Sequence, residues 1–329
     1  MRASGPAALR GIGLRGVLAA LALAAAPGAA GAQITFLDPA GPVAASQRDH
    51  LIFVTGMTMI AIVPVLVLVP LIIWRYHRRK GSGRYTPHDH LYRPDWQFSG
   101  PLEVVMWGVP FAIVAVLGWG LWHDTMRFDP YKPLGPDPVE VQAIGLDWKW
   151  LFLYPDEGLA TLDRLVIPED RPVRIALTTD SVMQSFRISA LAGQIYAMPG
   201  MRTEVNVMAE RPGTMRGENM QYSGRGFPHQ NFAVQVLPVD GWDEWTGTES
   251  WRVLDADAYA ILGRRSTASE AREDLGLLPD EPARFRLEGP DLFEAVIARY
   301  HQGRPVPPAA QPGSPAYEAF AHEGRESDG

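Results

Sequence analysis

The sequence predicts a membrane-anchored protein with a hairpin of two transmembrane helices, an antiparallel β-sandwich or barrel, and a C-terminal helical extension. Three observations support this fold class. Two long apolar segments near the start carry no charge, short runs of alternating apolar and polar residues follow them, and helical periodicity returns near the end. The order of these patterns along the 329 residues gives the order of the parts.

The two apolar segments have the length of transmembrane helices. Leu51–Trp74 contains 24 residues without a charge, and Val104–Trp122 contains 19. At about 1.5 Å per residue, each can cross a hydrocarbon core of roughly 30 Å. We therefore expect membrane spans over residues 51–74 and 101–123.

The loop between the spans, residues 75–100, fixes their expected orientation. It carries a cluster of basic residues close to the first span, namely Arg75, Arg78, Arg79, Lys80 and Arg84. Because such clusters stay on the cytoplasmic side, both chain termini and everything after residue 123 are expected on the periplasmic side.

The first 32 residues have the three-part pattern of a secretory signal peptide. Arginines precede the apolar run 17–26, and the small residues Ala30-Gly31-Ala32 follow it. The alternative is a third, uncleaved helix, but the run is short and rich in alanine for a span. Residues 33–50 are then expected to form a short periplasmic lead.

Residues 124–239 are expected to form the periplasmic β domain. Four runs alternate apolar and polar residues between prolines and glycines, at 139–144, 173–177, 203–207 and 232–236. Residues 240–302 are expected to be a helical extension, with helices over 255–263 and 291–300. The proline-rich residues 303–329 are expected to be a disordered tail.

Composition excludes several kinds of chemistry. The chain has no cysteine, which rules out disulfides, thiolate metal sites, a cysteine nucleophile and a lipoprotein anchor. Its net charge is −7, so no surface for nucleic acid is expected.

Several segments resemble subunit II of the haem-copper respiratory oxidases, whose periplasmic domain is cupredoxin-like. The segments are Leu102–Pro110, Leu146–Phe152, Ser181–Phe186 and Gly217–Gln230. Three more resemble the quinol-oxidising branch of the cytochrome bo type, namely Phe36–Val43, Ser223–Phe227 and Pro290–Tyr300. The resemblance covers nearly the whole chain after the signal peptide.

The copper-binding pattern of that family is absent. A binuclear copper centre uses two thiolates, two imidazoles and a thioether, since soft sulfur ligands suit copper. The pattern Cys-x-Glu-x-Cys-Gly-x-x-His-x-x-Met aligns here with Asn219, Gln221, Ser223, Gly224, Phe227 and Gln230, and the upstream histidine with Gln184. Gly224 keeps the glycine of the pattern. The other six positions are interpreted as vestigial and not as ligands, so no metal or other cofactor is expected in this chain. His229 is interpreted as a surface residue.

The resemblance implies a non-catalytic subunit of a ubiquinol oxidase in a bacterial inner membrane. It implies that haems and copper lie in a partner subunit I, that subunits III and IV and membrane lipid are further partners, and that the complex uses ubiquinol and not cytochrome c. The alternative left by the residues alone is an anchored periplasmic binding or sensor module.

One residue of this chain is a candidate for a chemical role. Glu103 lies at the cytoplasmic edge of the second span, where the family has a glutamate at a proton-channel entrance. A carboxylate at the membrane edge can collect protons for an interior chain of polar groups. It can equally be an acidic residue that favours the helix N-terminus.

Overall fold

A computed structural model of the chain describes residues 37–76, 97–127, 129–248, 252–278, 281–287 and 292–301. All of these residues belong to one compact unit. The signal peptide expected over 1–32, most of the loop expected over 75–100 and the tail expected over 303–329 lie outside the described residues.

Two long helices carry the apolar segments. Helix α1 spans Pro42–Tyr76 and helix α2 spans Gly100–Arg127, and both are long and apolar enough to cross a membrane. Their apolar side chains are mostly exposed, as expected for surfaces that face lipid or a partner subunit. The expected spans 51–74 and 101–123 lie within these helices.

Helix α1 begins nine residues earlier than the expected span, so residues 42–50 of the expected lead are helical. Pro42 suits a first helical position because its fixed φ is already that of a helix. The first turn also packs on the β domain, where Ala44 is fully buried and its N–H donates to Leu191 O at 3.2 Å. Tertiary contact extends the helix beyond its apolar segment.

The β domain consists of two packed sheets. The first has the strand order β11-β12-β3-β2-β1-β5-β8 and the second β4-β10-β9-β6-β7. The strands are β1 Val139–Leu146, β2 Lys149–Tyr154, β3 Leu159–Leu162, β4 Arg164–Pro168, β5 Pro172–Thr179, β6 Gln184–Ile188, β7 Ala192–Ala197, β8 Thr203–Met208, β9 Gly213–Asn219, β10 Asn231–Leu237, β11 Val253–Leu254 and β12 Arg284–Leu287.

Both sheets are mixed, which corrects the expectation of purely antiparallel pairing. Strand β1 is antiparallel to β2 but parallel to β5, and β10 is parallel to β4. A tight hairpin joins only antiparallel neighbours, whereas parallel neighbours need a long crossover. Three intervening strands provide that crossover between β1 and β5.

Aromatic side chains fill the space between the sheets. The rings of Phe186 and Phe232 stack at 5.1 Å, and Trp150 meets Phe186 edge-on at 5.3 Å. Gly217 makes this packing possible, because a Cβ there would lie 2.0 Å from the Phe232 ring.

The C-terminal extension contains strands as well as helices. Its helices are α3 Val239–Gly247, α4 Ala256–Gly263, α5 Ala268–Asp274 and α6 Leu292–Arg299. Strand β12 pairs with β3, and residues of α4 to α6 form a second core with Leu151 and Leu153 on the outer face of the larger sheet. Strand β2 is therefore buried at every position.

Candidate functional site

Four of the six vestigial copper-site positions come from separate elements that meet at one end of the β domain, and Gln184 is one of the four. Gln184 begins β6, Asn219 ends β9, Ser223 lies in the following loop and Gln230 directly precedes β10. The pairing of β6 with β9 brings the first two together, since Phe186 lies opposite Asn219. Gln184, Asn219, Ser223 and Gln230 are all buried.

These four side chains form a continuous hydrogen-bonded network, which we call the amide network. Gln230 Nε2 donates to Gln184 Oε1 at 2.6 Å, and Gln230 Oε1 accepts from Asn219 Nδ2 at 2.8 Å and from Ser223 Oγ at 3.0 Å. The carbonyl oxygen of Leu146 accepts from Gln184 Nε2 at 2.9 Å and from Gln230 Nε2 at 3.1 Å. Each of the four side chains is therefore hydrogen-bonded to another member of the network. This matters because an unpaired polar group in a buried place would lower the free energy of unfolding.

Residues beyond those singled out in the sequence complete the network. Asn219 Oδ1 accepts the N–H groups of Ser185 and Gln221, both at 2.9 Å, and Ser185 Oγ accepts from Met220 N at 2.9 Å. Gly145 leaves room for the Gln184 amide, because a Cβ there would lie 2.4 Å from Oε1. The sequence alone could not predict that Ser185 and the Leu146 carbonyl take part, because both reach the network only through the way the strands fold together.

Two of the vestigial positions lie outside the amide network. Gln221 is half-buried and contributes only its backbone N–H. Phe227 lies in a short 3₁₀ helix, Phe227–His229, with its ring 5.9 Å from that of Tyr222. His229 is exposed, as the sequence interpretation expected.

The donor set of the amide network does not fit a binuclear copper centre. Its members are neutral amide and hydroxyl groups, which lack the softness that copper requires, and they already satisfy one another. Across the described ranges, no group of three or more histidine, aspartate or glutamate side chains could hold a metal ion. No chemical step can be assigned to copper bound at these residues.

Buried charged groups next to the amide network link the β domain to the C-terminal extension. The Lys149 ammonium, fully buried, donates to the carbonyl oxygens of Asp147, Arg264 and Ser266 at 2.8–2.9 Å. Burial lowers the pKa of Lys149 to about 8, an effect partly offset by nearby carboxylates, chiefly that of Asp163. The charged lysine therefore links β2 to the loop that precedes α5.

Two buried carboxylates, those of Asp180 and Asp147, also contact the C-terminal extension. Asp180 accepts from Arg299 Nη1 at 2.6 Å, from Tyr259 OH at 2.9 Å and from Tyr300 OH at 3.0 Å. Asp147 accepts from Ser181 Oγ, and its Oδ2 lies 3.1 Å from Arg265 Nε in an ion pair without hydrogen-bond geometry. The extension thus supplies the cations for both carboxylates.

Trp148 covers the loop of the amide network from outside. Its backbone has a φ of 83°, a conformation that a bulky residue adopts only when its surroundings impose it. The indole Nε1 donates to Ser223 O at 2.9 Å, and the ring packs on Gly226, where a Cβ would lie 2.1 Å from Cδ2. These contacts give Trp148 a packing role.

Glu103 is separate from the amide network. It lies in the first turn of α2, half-buried, with its N–H bonded to Ser99 O at 3.0 Å. Its Oε2 accepts from Trp107 Nε1 at 3.1 Å.

Comparison with known proteins agrees with this architecture. The family model of the periplasmic domain of cytochrome c oxidase subunit II matches residues 157–236. Subunit 2 of the cytochrome bo(3) ubiquinol oxidase of Pseudomonas putida is 33% identical over 282 residues, which are 84% of this chain and 84% of that protein. Its counterpart in Pseudomonas aeruginosa is 35% identical over 86% of this chain and 82% of its own length.

A third relative has a similar degree of identity. The ubiquinol oxidase subunit 2 of Acetobacter aceti is 34% identical over 83% of this chain and 85% of its own length. Such identity over most of both chains shows that this protein belongs to the family of ubiquinol oxidase subunit II, of the cytochrome bo type.

Proposed function

We propose that this chain is the non-catalytic subunit II of a quinol-oxidising, oxygen-reducing, proton-pumping haem-copper oxidase of a bacterial inner membrane. Family membership and the two apolar helices support this assignment. The observation that carries its non-catalytic part is the amide network, whose members occupy sequence positions that align with the copper-ligand pattern of the cytochrome c branch of the family. In this proposal the chain holds no redox centre, and cytochrome c is not its electron donor.

The chain's proposed contribution is mechanical. Helices α1 and α2 pack with their apolar sides on a larger subunit I, which holds the haems, the copper and the quinol site, and subunits III and IV join the same complex. The β domain and its extension lie on the periplasmic side together with both termini. By packing on subunit I, the two helices support its assembly and stability.

One purification tests the assignment. The chain is tagged and the complex that purifies with it is assayed for oxygen consumption with reduced ubiquinol and with reduced cytochrome c, while copper and haem are counted per complex. We expect turnover with ubiquinol alone, and copper only in the amount that subunit I holds. Turnover with cytochrome c, additional copper at this chain, or recovery without a haem-bearing subunit would each overturn the proposal.

Glu103 is the proposed proton-entry carboxylate of this chain. The change Glu103→Gln keeps an oxygen that can accept from Trp107 Nε1 but removes the group that carries the proton. We expect slower proton uptake and slower ubiquinol oxidation in the assembled complex. Asp49→Asn is the matched control, because Asp49 is an exposed acid at the opposite end of the hairpin. Equal rates in wild type and Glu103→Gln would show that Glu103 serves only the helix terminus.

A further inference from the structure

A cavity of about 380 Å³ lies where the two long helices meet the β domain. It is lined by Gln47 of α1, Arg127 at the end of α2, linker residues 129, 130 and 132–134, and residues of strands β7 and β8. This volume falls within the range of roughly 300–1,000 Å³ that is usual for small-molecule sites.

The walls of the cavity are held in place by specific contacts. Asn206 of β8 donates its backbone N–H and its Nδ2 to Pro130 O at 3.1 and 2.8 Å, which fixes the linker against the sheet. On the opposite wall, Gly193 leaves space for Gln47, since a Cβ there would lie 2.9 Å from Nε2. The cavity is therefore bounded by ordered elements.

The charges at the cavity suit an anion. Arg127 and Lys132 contribute two positive charges, and Asp129 contributes one negative charge while accepting Tyr131 N–H at 3.0 Å. The amide side chains of Gln47 and Gln194 add further hydrogen-bonding groups. Cations and amides together are the groups that proteins use to bind a phosphate.

An apolar groove of about 460 Å³ adjoins this cavity along α2. Trp119, Trp122 and Met126 line it together with His123, and Arg127 lines both the groove and the cavity. Exposed tryptophans at the end of a membrane helix lie at headgroup depth, and an arginine there keeps its charge toward the water. Trp119 and Trp122 precede Arg127 by about one to two helical turns, so the groove runs from the boundary between lipid chains and headgroups to a basic cavity at the depth of headgroups.

We propose that Arg127 and Lys132 bind the phosphate of a membrane glycerophospholipid, whose acyl chain lies along Trp119, Trp122 and Met126. The bound lipid fills the space between the hairpin and the β domain. This site needs α2 to span the membrane but does not depend on quinol oxidation, so its test and the test of the oxidase assignment fail independently.

Native mass spectrometry of the full chain in maltoside micelles, titrated with dioleoyl phosphatidylglycerol, measures this binding. Dioleoylglycerol, which lacks the phosphate, and glycerol 3-phosphate, which lacks the acyl chains, serve as the two further probes. We expect a one-to-one adduct with phosphatidylglycerol and much weaker binding of either probe. A surface cation contributes about fivefold to lipid binding, so Arg127→Gln should weaken it about fivefold and the double change with Lys132→Gln about 30-fold.

Arg216→Gln is the control, because Arg216 is an exposed arginine on β9 away from the cavity. It should leave lipid binding unchanged, and circular dichroism should show the same fold in all variants. Equal affinity of the double variant and the control would overturn the proposal. If dioleoylglycerol bound as tightly as the phospholipid, the phosphate would not be recognised and the proposal would be wrong. If glycerol 3-phosphate bound as tightly as the phospholipid, the site would bind a free phosphate group without a lipid, which would also overturn the proposal.

Discussion

Replacing Gln230 by leucine tests whether the amide network stabilises the β domain. Gln230 is almost fully buried and bonds to Gln184, Asn219 and Ser223. Leucine has a similar volume but cannot donate or accept. The change therefore leaves the Gln184 carbonyl without a donor and the Ser223 hydroxyl without an acceptor. Asn219 Nδ2 loses its bond to Gln230 but still donates to Ser223 Oγ at 3.3 Å, and the Leu146 carbonyl keeps its bond from Gln184.

The cost follows from these two groups. A buried polar group without a partner costs about 2 kcal/mol, so the two together cost about 4 kcal/mol. The leucine side chain returns about 1.5 kcal/mol by its own burial. A net loss of about 2.5 kcal/mol lowers the melting temperature of a domain of this size by about 5–10 °C.

Thermal unfolding of the full chain in detergent, followed by tryptophan fluorescence, measures the loss. Gln221→Leu is the matched control in the same loop, because its side chain forms no hydrogen bond within the part of the chain that the structure describes. We expect that control to change the free energy of unfolding by less than about 0.5 kcal/mol. Equal melting temperatures for Gln230→Leu and Gln221→Leu would refute the reasoning.

Three further changes test the contacts around the amide network. Arg299→Met should cost about 3 kcal/mol in urea unfolding, since it leaves the buried Asp180 carboxylate without its cation, and a loss below about 0.5 kcal/mol would contradict this. Burial lowers the pKa of Lys149 to about 8 from 10.5, so the unfolded chain binds more protons between these values and stability should rise there by about 1.4 kcal/mol per pH unit. Lys149→Met should lack that rise, and an equal slope in both proteins would refute the assignment. Gly226→Ala should displace the Trp148 indole and change the near-ultraviolet circular dichroism, whereas an unchanged spectrum would show that the loop can accommodate the methyl group.

The sequence predicts two kinds of element: strands with one face buried and the other exposed, and long apolar helices. Charge-free runs mark α1 and α2, and alternation marks β1, β5, β8 and β10, which are all present. Strand β2 shows no alternation because both of its faces are covered. Strands β11 and β12 have two and four residues, too few for a periodic pattern, so the extension was expected to be helical only.

The site was predictable in part. Alignment to the copper pattern identifies Gln184, Asn219, Ser223 and Gln230, and the fold brings these four together in the amide network. The hydrogen bonds among them could not be predicted, since they depend on side-chain direction and on the carbonyl of Leu146. Alignment alone does not identify the members of the network. Gln221 occupies a position of the copper pattern, but it contributes only its backbone N–H.

The pairing of β12 with β3 has a consequence for biosynthesis. Arg284 lies opposite Thr161, so a strand from near the end of the chain covers the edge of one that the ribosome completes more than a hundred residues earlier. Until β12 emerges, β3 presents unpaired backbone groups that invite aggregation with other nascent chains. A chain cut short before Arg284 should therefore keep this strand edge exposed and be degraded rather than assembled.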